Sequence, residues 1–302
     1  MKKIITLSTI FAMLAFGFSS CKRINSNTSG TNPFGTNQNG NNGNNGNNGN
    51  NGNNGNNGND PLADVGKVPV DFTKKALLEE FTGEWCGWCP EGAEVMKQLL
   101  TQYPTKVAGV AVHDGDPMEL ASFNSWLQTL TGVTGFPNGS VDRADATGRG
   151  SWSSQVQTNL NKTADCGLAM VTKLNGTNAD IKVFIGYNAP LSGRKVTIAV
   201  TEDKVPQSPG GQSNYSQQVN VDANWTHSHV LRGFVTNEKG DDVTLTSPDN
   251  YTIVEFKNVD LSSMNILDMN NVEIVAFVHT NTTPRDVFNV QKVELNKTQA
   301  WD

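Results

Sequence analysis

Residues 82–90 have the sequence TGEWCGWCP, in which Cys86 and Cys89 are separated by two residues. The apolar run before them, residues 76–81, predicts a short buried strand, and residues 90–103 predict a helix that begins at a proline. The two cysteines therefore lie where a strand leads into a helix. Unpaired amides and the dipole at a helix N-terminus stabilise a thiolate, the nucleophile of thiol–disulfide exchange.

This placement favours a redox pair. We expect Cys86 to be the exposed attacking thiol and Cys89 to be the resolving thiol on the buried side. Gly87 and Trp88, between the two cysteines, would tune the reduction potential, and Trp85 would support the site. Two other interpretations stay open, because a Cys-x-x-Cys pair also occurs as a structural disulfide or as half of a zinc site.

A second signal is the sequence TGFPNGSV at residues 134–141, just before another strand-like stretch. We expect a cis bond between Phe136 and Pro137, since cis bonds are found mainly before proline and in tight turns. Pro137 is then a third catalytic candidate. Phe136 would lie beside the disulfide, where its backbone groups could pair with an extended substrate.

The order of predicted elements points to one fold. Between the two signals lie a strand at residues 107–112 and a helix at 119–130, and a closing helix follows at 152–160. This part of the chain resembles the thioredoxin fold. The polar residues His113, Asp114 and Asp116 follow the second strand; we interpret them as a loop that caps the next helix, with calcium ligation or proton relay as alternatives.

From about Asp165 the hydrophobic period changes to two, which is typical of strands. Seven short strands with polar loops suggest an antiparallel sandwich. The strands are predicted at residues 168–174, 181–187, 196–201, 227–234, 251–256, 272–280 and 287–295. The sandwich would be a partner-binding module, or a spacer or lid for the thiol site.

The run WTHSHVLR at residues 225–232 is the least generic part of the sandwich. His227, His229 and Arg232 are secondary site candidates that would give cationic stabilisation to a thiolate across the domain interface. The alternatives are exposed histidines on a strand with Arg232 in a surface ion pair, and a Cys2His2 zinc site that uses both histidines. Cys166 is the cysteine left over if Cys21 is acylated and Cys86 pairs with Cys89, and we expect its thiol to stay free.

The N-terminus is predicted to be a lipoprotein signal. Residues 1–20 combine two lysines with a fifteen-residue apolar run and end in Ser-Ser, directly before Cys21. Acylation of Cys21 would anchor the chain in a membrane, with ordinary cleavage near Ser20 as the alternative. Residues 21–62 contain repeated Asn-Asn-Gly and are predicted to be a disordered tether. The domains would then be residues 63–164 and 165–302.

The charge of the chain argues against nucleic-acid binding. Beyond residue 60 there are 19 basic and 28 acidic residues, a net charge of −9. Affinity for a polyanion comes mostly from neutralising phosphates, for which this chain has no basic cluster. We expect no cofactor and no metal, partners that are exported protein thiols or disulfides, and a membrane bound through the lipid.

Several motifs together resemble one family. They are TGEWCGWCP at residues 82–90, GFPNGSVDR at 135–143, HSHVLR at 227–232 and NVQKVEL at 289–295. With the lipoprotein signal, they resemble the twenty-eight-kilodalton outer-membrane-protein family of Bacteroidota lipoproteins. The resemblance implies an α/β thioredoxin-like domain followed by an all-β immunoglobulin-like sandwich, attached to the outer membrane, and brings no established reaction.

Two functions follow from these observations. The first is a membrane-tethered thiol–disulfide oxidoreductase that acts on exported proteins. The second is a binding or adhesion lipoprotein in which the Cys-x-x-Cys pair is a structural disulfide. The sequence favours the first and leaves open the protein substrate, the membrane face and the oligomeric state.

Overall fold

A computed structural model describes residues 60–302. The predicted signal peptide, Cys21 and nearly all of the predicted tether lie outside these residues. The first elements are β1 (Ala76–Thr82), α1 (Cys89–Gln102), β2 (Val107–His113), α2 (Ala121–Thr131), β3 (Asn138–Val141), β4 (Thr147–Gly148) and α3 (Trp152–Leu160). Strands of two to twelve residues follow: β5 (Cys166–Asn175), β6 (Asn178–Tyr187), β7 (Leu191–Glu202), β8 (Val205–Pro206), β9 (Thr226–His227), β10 (Val230–Phe234), β11 (Asp241–Leu245), β12 (Tyr251–Asp260), β13 (Val272–Thr280), β14 (Asp286–Glu294) and β15 (Thr298–Gln299).

The predicted strands and helices around the cysteines are confirmed. β1 and β2 are buried along their whole length, and they pair in parallel because α1 crosses between them. β3 lies antiparallel to β1 on its other side. The helices α1 and α3 cover one face of these strands, where Met96, Leu99 and Trp152 are buried. α2 covers the other face with Phe123 and Leu127.

One sheet runs through both halves of the chain. Among residues 60–302 the largest sheet has nine strands, in the order β14-β13-β7-β10-β2-β1-β3-β4, with β11 also paired to β7. β10 joins the halves: Val230 pairs in parallel with Ala111 of β2, and the Ala111 amide donates to the His229 carbonyl at 2.8 Å. The predicted boundary at residues 164 and 165 is therefore crossed by a continuous sheet.

The β-rich half is two packed sheets. The second sheet has the order β12-β6-β5-β15 and is antiparallel. Its buried face packs against the β7 and β13 part of the large sheet, and side chains such as Ile181, Ile198 and Ile274 fill the space between. The predicted alternation of these strands is confirmed, since each sheet turns one face to this core.

No helix within residues 60–302 is both long and apolar enough to cross a bilayer.

Candidate functional site

A disulfide joins the two cysteines of the motif. The Sγ atoms of Cys86 and Cys89 are bonded, and Cys166 is the free cysteine of the described residues. The predicted pairing is confirmed. Cys89 begins α1, Pro90 occupies its first turn, and the helix has no side-chain cap at Trp88. Cys166 is buried on β5, where burial raises the pKa of its thiol to about 12, so it is not a nucleophile at neutral pH.

The expectation that Cys86 is exposed is wrong. Cys86 is 5% exposed and Cys89 is 1% exposed. The exposed side chains of the motif are the two tryptophans, Trp85 at 49% and Trp88 at 47%. The sequence could not show this burial, because a segment that binds the backbone around Cys86 lies more than a hundred residues away along the chain.

We call that segment, residues 207–216, the strap. It runs across the loop between β1 and α1 and is held by two backbone hydrogen bonds. The Ser213 amide donates to the Glu84 carbonyl at 2.7 Å, and the Tyr215 amide donates to the Gly87 carbonyl at 2.7 Å. The two bonds lie on either side of Cys86 in the sequence, so the strap lies over the disulfide loop.

Side chains strengthen the contact. Gln212 Nε2 donates to the Cys86 carbonyl at 3.0 Å and to the Glu84 carbonyl at 3.2 Å. The Glu84 carboxylate accepts hydrogen bonds from the amide of Ser208 at 2.6 Å and from its hydroxyl. The ring of Tyr215 lies directly over Gly87, where a Cβ would come within 2.4 Å of it.

The loop after β2 supports the disulfide loop from below. The Asp116 carboxylate accepts from the Glu84 amide at 3.0 Å and lies 2.7 Å from His113 Nδ1. Trp85 Nε1 donates to the Asp114 carbonyl at 2.6 Å. The prediction that this loop caps the next helix is wrong, since the N-terminus of α2, at Ala121, has no side-chain cap and the residue before it is Leu120. Asp114 and Asp116 instead position the residues before Cys86.

Glu80 is a residue that the sequence analysis did not single out. It lies on β1, is 1% exposed, and its Oε1 has no hydrogen-bond partner within residues 60–302. Burial raises the pKa of its carboxyl to about 8. A Cβ on Gly92 would lie 2.3 Å from this oxygen and 2.9 Å from Cβ of Pro137, so Glu80 reaches the first turn of α1 beside Pro137.

The Phe136–Pro137 peptide bond is cis, as predicted. Pro137 is buried before β3, and the Phe136 ring packs edge-on against Trp85 with ring centroids 5.1 Å apart. The two sequence signals therefore meet in space. Trp85 links the turn before Pro137 to the disulfide loop.

His227 lies at this site, but not as a cation. Its Nε2 is 3.4 Å from Glu84 Oε1, and its ring packs edge-on against His113 at 5.0 Å between centroids. Burial, with His113 nearby, lowers the pKa of His227 to about 4. The predicted cationic stabilisation by His227 is therefore wrong, because the ring is neutral near pH 7.

His229 and Arg232 point to other partners. His229 Nδ1 is 3.3 Å from Asp203 Oδ1, and Arg232 Nε is 3.1 Å from Glu202 Oε2, in a largely buried pair rather than a surface pair. His229 has a positive φ of 56°, which breaks the strand alternation expected between it and His227. The zinc interpretation is wrong for this state, because both cysteine sulfurs are bonded to each other.

Comparisons with known proteins give a family and a fold. The sequence model of Omp28, described as outer membrane protein Omp28, matches residues 124–299, which begin after the disulfide. The fold is similar to that of HBP35 of Porphyromonas gingivalis, with a TM-score of 0.64, 20% identity, and coverage of 76% of this chain and 77% of that one. A protein from Agrobacterium tumefaciens matches with a TM-score of 0.48, 16% identity, and coverage of 76% and 98%. No curated protein sequence matches the chain significantly.

Proposed function

Because this chain belongs to the Omp28 outer membrane protein family, we propose that it works at the outer membrane as a thiol–disulfide oxidoreductase acting on exported proteins. The Cys86–Cys89 pair is the reactive group. The observation that carries the proposal is the buried Glu80 carboxyl, whose Oε1 is unpaired within residues 60–302 and lies next to the first turn of α1. An unpaired buried polar group costs stability, so a structural disulfide alone gives no reason to keep one.

The elements around the disulfide support a thioredoxin-like first half. β1, α1, β2, α2, β3 and α3 follow one another as a parallel pair, an antiparallel strand and helices on both faces. The disulfide lies at the end of β1 and the start of α1, where helix amides favour a thiolate. The packed sheets of the second half support an immunoglobulin-like sandwich.

The disulfide can accept two electrons from a substrate dithiol. A substrate thiolate attacks Sγ of Cys86, the Cys86–Cys89 bond breaks, and Cys89 leaves as a thiolate. The second substrate thiolate attacks the substrate sulfur of the mixed disulfide, which releases Cys86 as a thiolate. The substrate is then oxidised to a disulfide, and both cysteines are reduced. The reverse sequence reduces a substrate disulfide.

Glu80 would manage the proton of Cys89. With a pKa of about 8 the carboxyl is protonated at neutral pH and can give its proton to the departing Cys89 thiolate. In the reverse direction the Glu80 carboxylate takes this proton back when Cys89 attacks. The role needs a group that changes charge near neutral pH, and burial provides it.

The reduction potential of the pair tests the proposal. Structural disulfides usually lie below about −300 mV, and we expect this one to lie above that value. In cells a Cys89→Ala variant, which lacks the resolving thiol, should accumulate mixed disulfides through Cys86, whereas a Cys86→Ala variant should accumulate none. A potential below the structural limit, with no trapped partner, would contradict the proposal.

A second candidate function is supported by the burial of both sulfurs. An outer membrane binding or adhesion protein would keep the disulfide as a clamp between β1 and α1 under the strap. This function predicts a low potential and normal partner binding in the Cys86→Ala variant. The same measurement therefore separates the two candidates.

The N-terminal sequence adds the place of action. We propose that Cys21 carries lipid and that the Asn/Gly-rich residues up to 62 tether the folded part to the outer membrane. With six Asn-Asn-Gly repeats the tether would give the thiol site reach toward exported proteins.

A further inference from the structure

The strap has the form of a bound peptide. Its amides at Ser213 and Tyr215, two residues apart, donate to carbonyls of the disulfide loop. An extended chain adds to an exposed backbone edge in this way. We infer that the strap occupies the docking surface of a partner polypeptide, which binds as an extended, cysteine-containing segment in the strap's place. The inference rests on the proposed exchange reaction and names its substrate class.

The burial of Cys86 makes displacement necessary. A protein thiolate has to reach Sγ of Cys86, but Cys86 is 5% exposed, and the strap is hydrogen-bonded to its carbonyl and to those of Glu84 and Gly87. A partner that docks beside the strap would stay separated from the sulfur. A partner that replaces the strap would instead bring its own backbone to the Glu84 and Gly87 carbonyls, directly next to the disulfide.

The strap is built to be released. Within residues 207–216 only Ser216 is buried, and the other side chains are half-buried or exposed. Hydrogen bonds rather than apolar burial therefore hold it, and such segments open locally at low cost. The longer loop that contains the strap is closed independently at its base by the pairing of β8 with β9 and by Gln207, which donates to the carbonyls of Trp225 and Asp222. Release thus leaves the large sheet intact.

Tyr215 indicates what the surface accepts. The ring lies on Gly87 and edge-on to Trp88, with centroids 6.2 Å apart, yet its side chain is 64% exposed. Because Gly87 has no side chain, the space above it takes a flat ring. A partner segment with an aromatic residue close to its cysteine would fill the same space and keep the contact with Trp88.

Loosening the strap tests whether it gates the disulfide. The purified full-length protein is compared with a Gln212→Ala/Tyr215→Ala variant and with a Gln217→Ala control, which changes an exposed side chain just outside the strap. Reduction of the disulfide by dithiothreitol is followed through tryptophan fluorescence. We expect the double variant to be reduced about tenfold faster than the other two, because several hydrogen bonds are lost. Equal rates in all three proteins would overturn the inference.

Synthetic peptides test whether the partner's backbone pairs with the disulfide loop. They are added to the Gln212→Ala/Tyr215→Ala variant. One eight-residue peptide contains a cysteine and a tyrosine, and its counterpart is N-methylated at two residues that are two positions apart. We expect the first peptide to form a mixed disulfide about tenfold faster, because only it can donate both amide hydrogens. Equal rates for the two peptides would refute the docking surface whatever the reduction potential is. A low potential with unequal rates would refute the exchange function instead.

Discussion

Burial alone raises the pKa of Glu80 to about 8, because its carboxylate would have to give up water without gaining a partner. The sequence places Glu79 and Glu80 together in a strand predicted to be buried, so two acids had to be accommodated. Glu79 is paired by Arg143, at 3.3 Å from its Nε. Glu80 is not, and only the tertiary structure shows which of the two neighbours remains without a charge partner.

A Glu80→Gln variant should change how stability depends on pH. The pKa of the carboxyl is about 8 in the folded chain against 4.5 for an unperturbed glutamate, so the folded chain holds an extra proton between these pH values. The contribution of Glu80 to stability is fully present below about pH 4.5 and is lost as the pH rises through about 8. The loss is on the order of 5 kcal/mol, since each pKa unit is worth about 1.4 kcal/mol.

Urea unfolding at a series of pH values measures this effect. The Glu80→Gln variant has no charge to desolvate, so its stability should fall less between about pH 5 and pH 8 than that of the unchanged protein. A Glu94→Gln variant, altered at a more exposed carboxylate of α1, should keep the original slope. If Glu80→Gln and the unchanged protein have parallel profiles, Glu80 is ionised in the folded state and cannot be the proton donor.

At the scale of elements, the loop after β2 determines the shape of the loop after β1. Asp116 accepts hydrogen bonds from the amides of Glu84 and Met118 and contacts His113, all at 3.0 Å or less. Although burial raises it, the pKa of Asp116 is lowered overall by His113 and by these amides. The carboxylate is therefore charged at neutral pH and orders the backbone that leads into Cys86.

An Asp116→Ala variant should loosen the disulfide loop. It leaves donors of Glu84, Met118 and His113 unpaired, and we expect a loss of about 2–3 kcal/mol in the free energy of unfolding. Hydrogen exchange should rise first at residues 83–88. An Asp249→Ala variant, altered in an exposed turn, is the control and should lose less than about 0.5 kcal/mol. Unchanged exchange at residues 83–88 would contradict the supporting role of Asp116.

Helices and strands were predicted well where a continuous stretch of sequence has a clear hydrophobic period. The helix α3 occupies residues 152–160 as predicted, and β13 matches residues 272–280. β11 was missed, because its sequence DDVTL has two charged residues and little alternation. The strap was missed for another reason: its position depends on contacts with a loop far away in sequence, and local periodicity carries no information on such contacts.

At the scale of the molecule, the N-terminal anchor and the folded part are separate predictions. A Cys21→Ala variant should be soluble or unprocessed, because no acyl chains hold it in the membrane. Detergent phase partitioning measures this, with Cys166→Ala as the cysteine control, since Cys166 is buried far along the chain. A Cys21→Ala protein that still partitions with membranes would contradict the lipid assignment.

The sheet that crosses from one half to the other determines how the chain folds. The change of hydrophobic period near residue 165 predicts two separate domains, residues 63–164 and 165–302. The hydrophobic period indicates whether an element is a helix or a strand. It does not indicate which other elements pack against it. In the structure, Leu77 and Phe81 of the first half share a core with Leu231 and Phe277 of the second.

Polar contacts cross the same boundary. Lys74 Nζ donates to the Val287 carbonyl at 2.9 Å, and Lys75 Nζ donates to Gln291 at 2.9 Å. Arg143 Nη1 lies 3.1 Å from His279 Nδ1. These groups are buried, so separating the halves would expose apolar side chains and leave charged groups without their partners.

A fragment of residues 60–164 should therefore fail to fold alone. Without β10 the edge of β2 loses its pairing partner, and α2 is left covering a core that lacks Leu231 and Phe277. We expect the fragment to show no cooperative urea transition and a collapsed amide NMR spectrum, while residues 60–302 unfold in a single transition with coincident far-UV and fluorescence signals. A dispersed spectrum and a sharp transition for the fragment would show that the first half is an autonomous domain. The shared sheet would then form when two independently folded domains associate. The strap would close over a disulfide site that is already folded in the first domain.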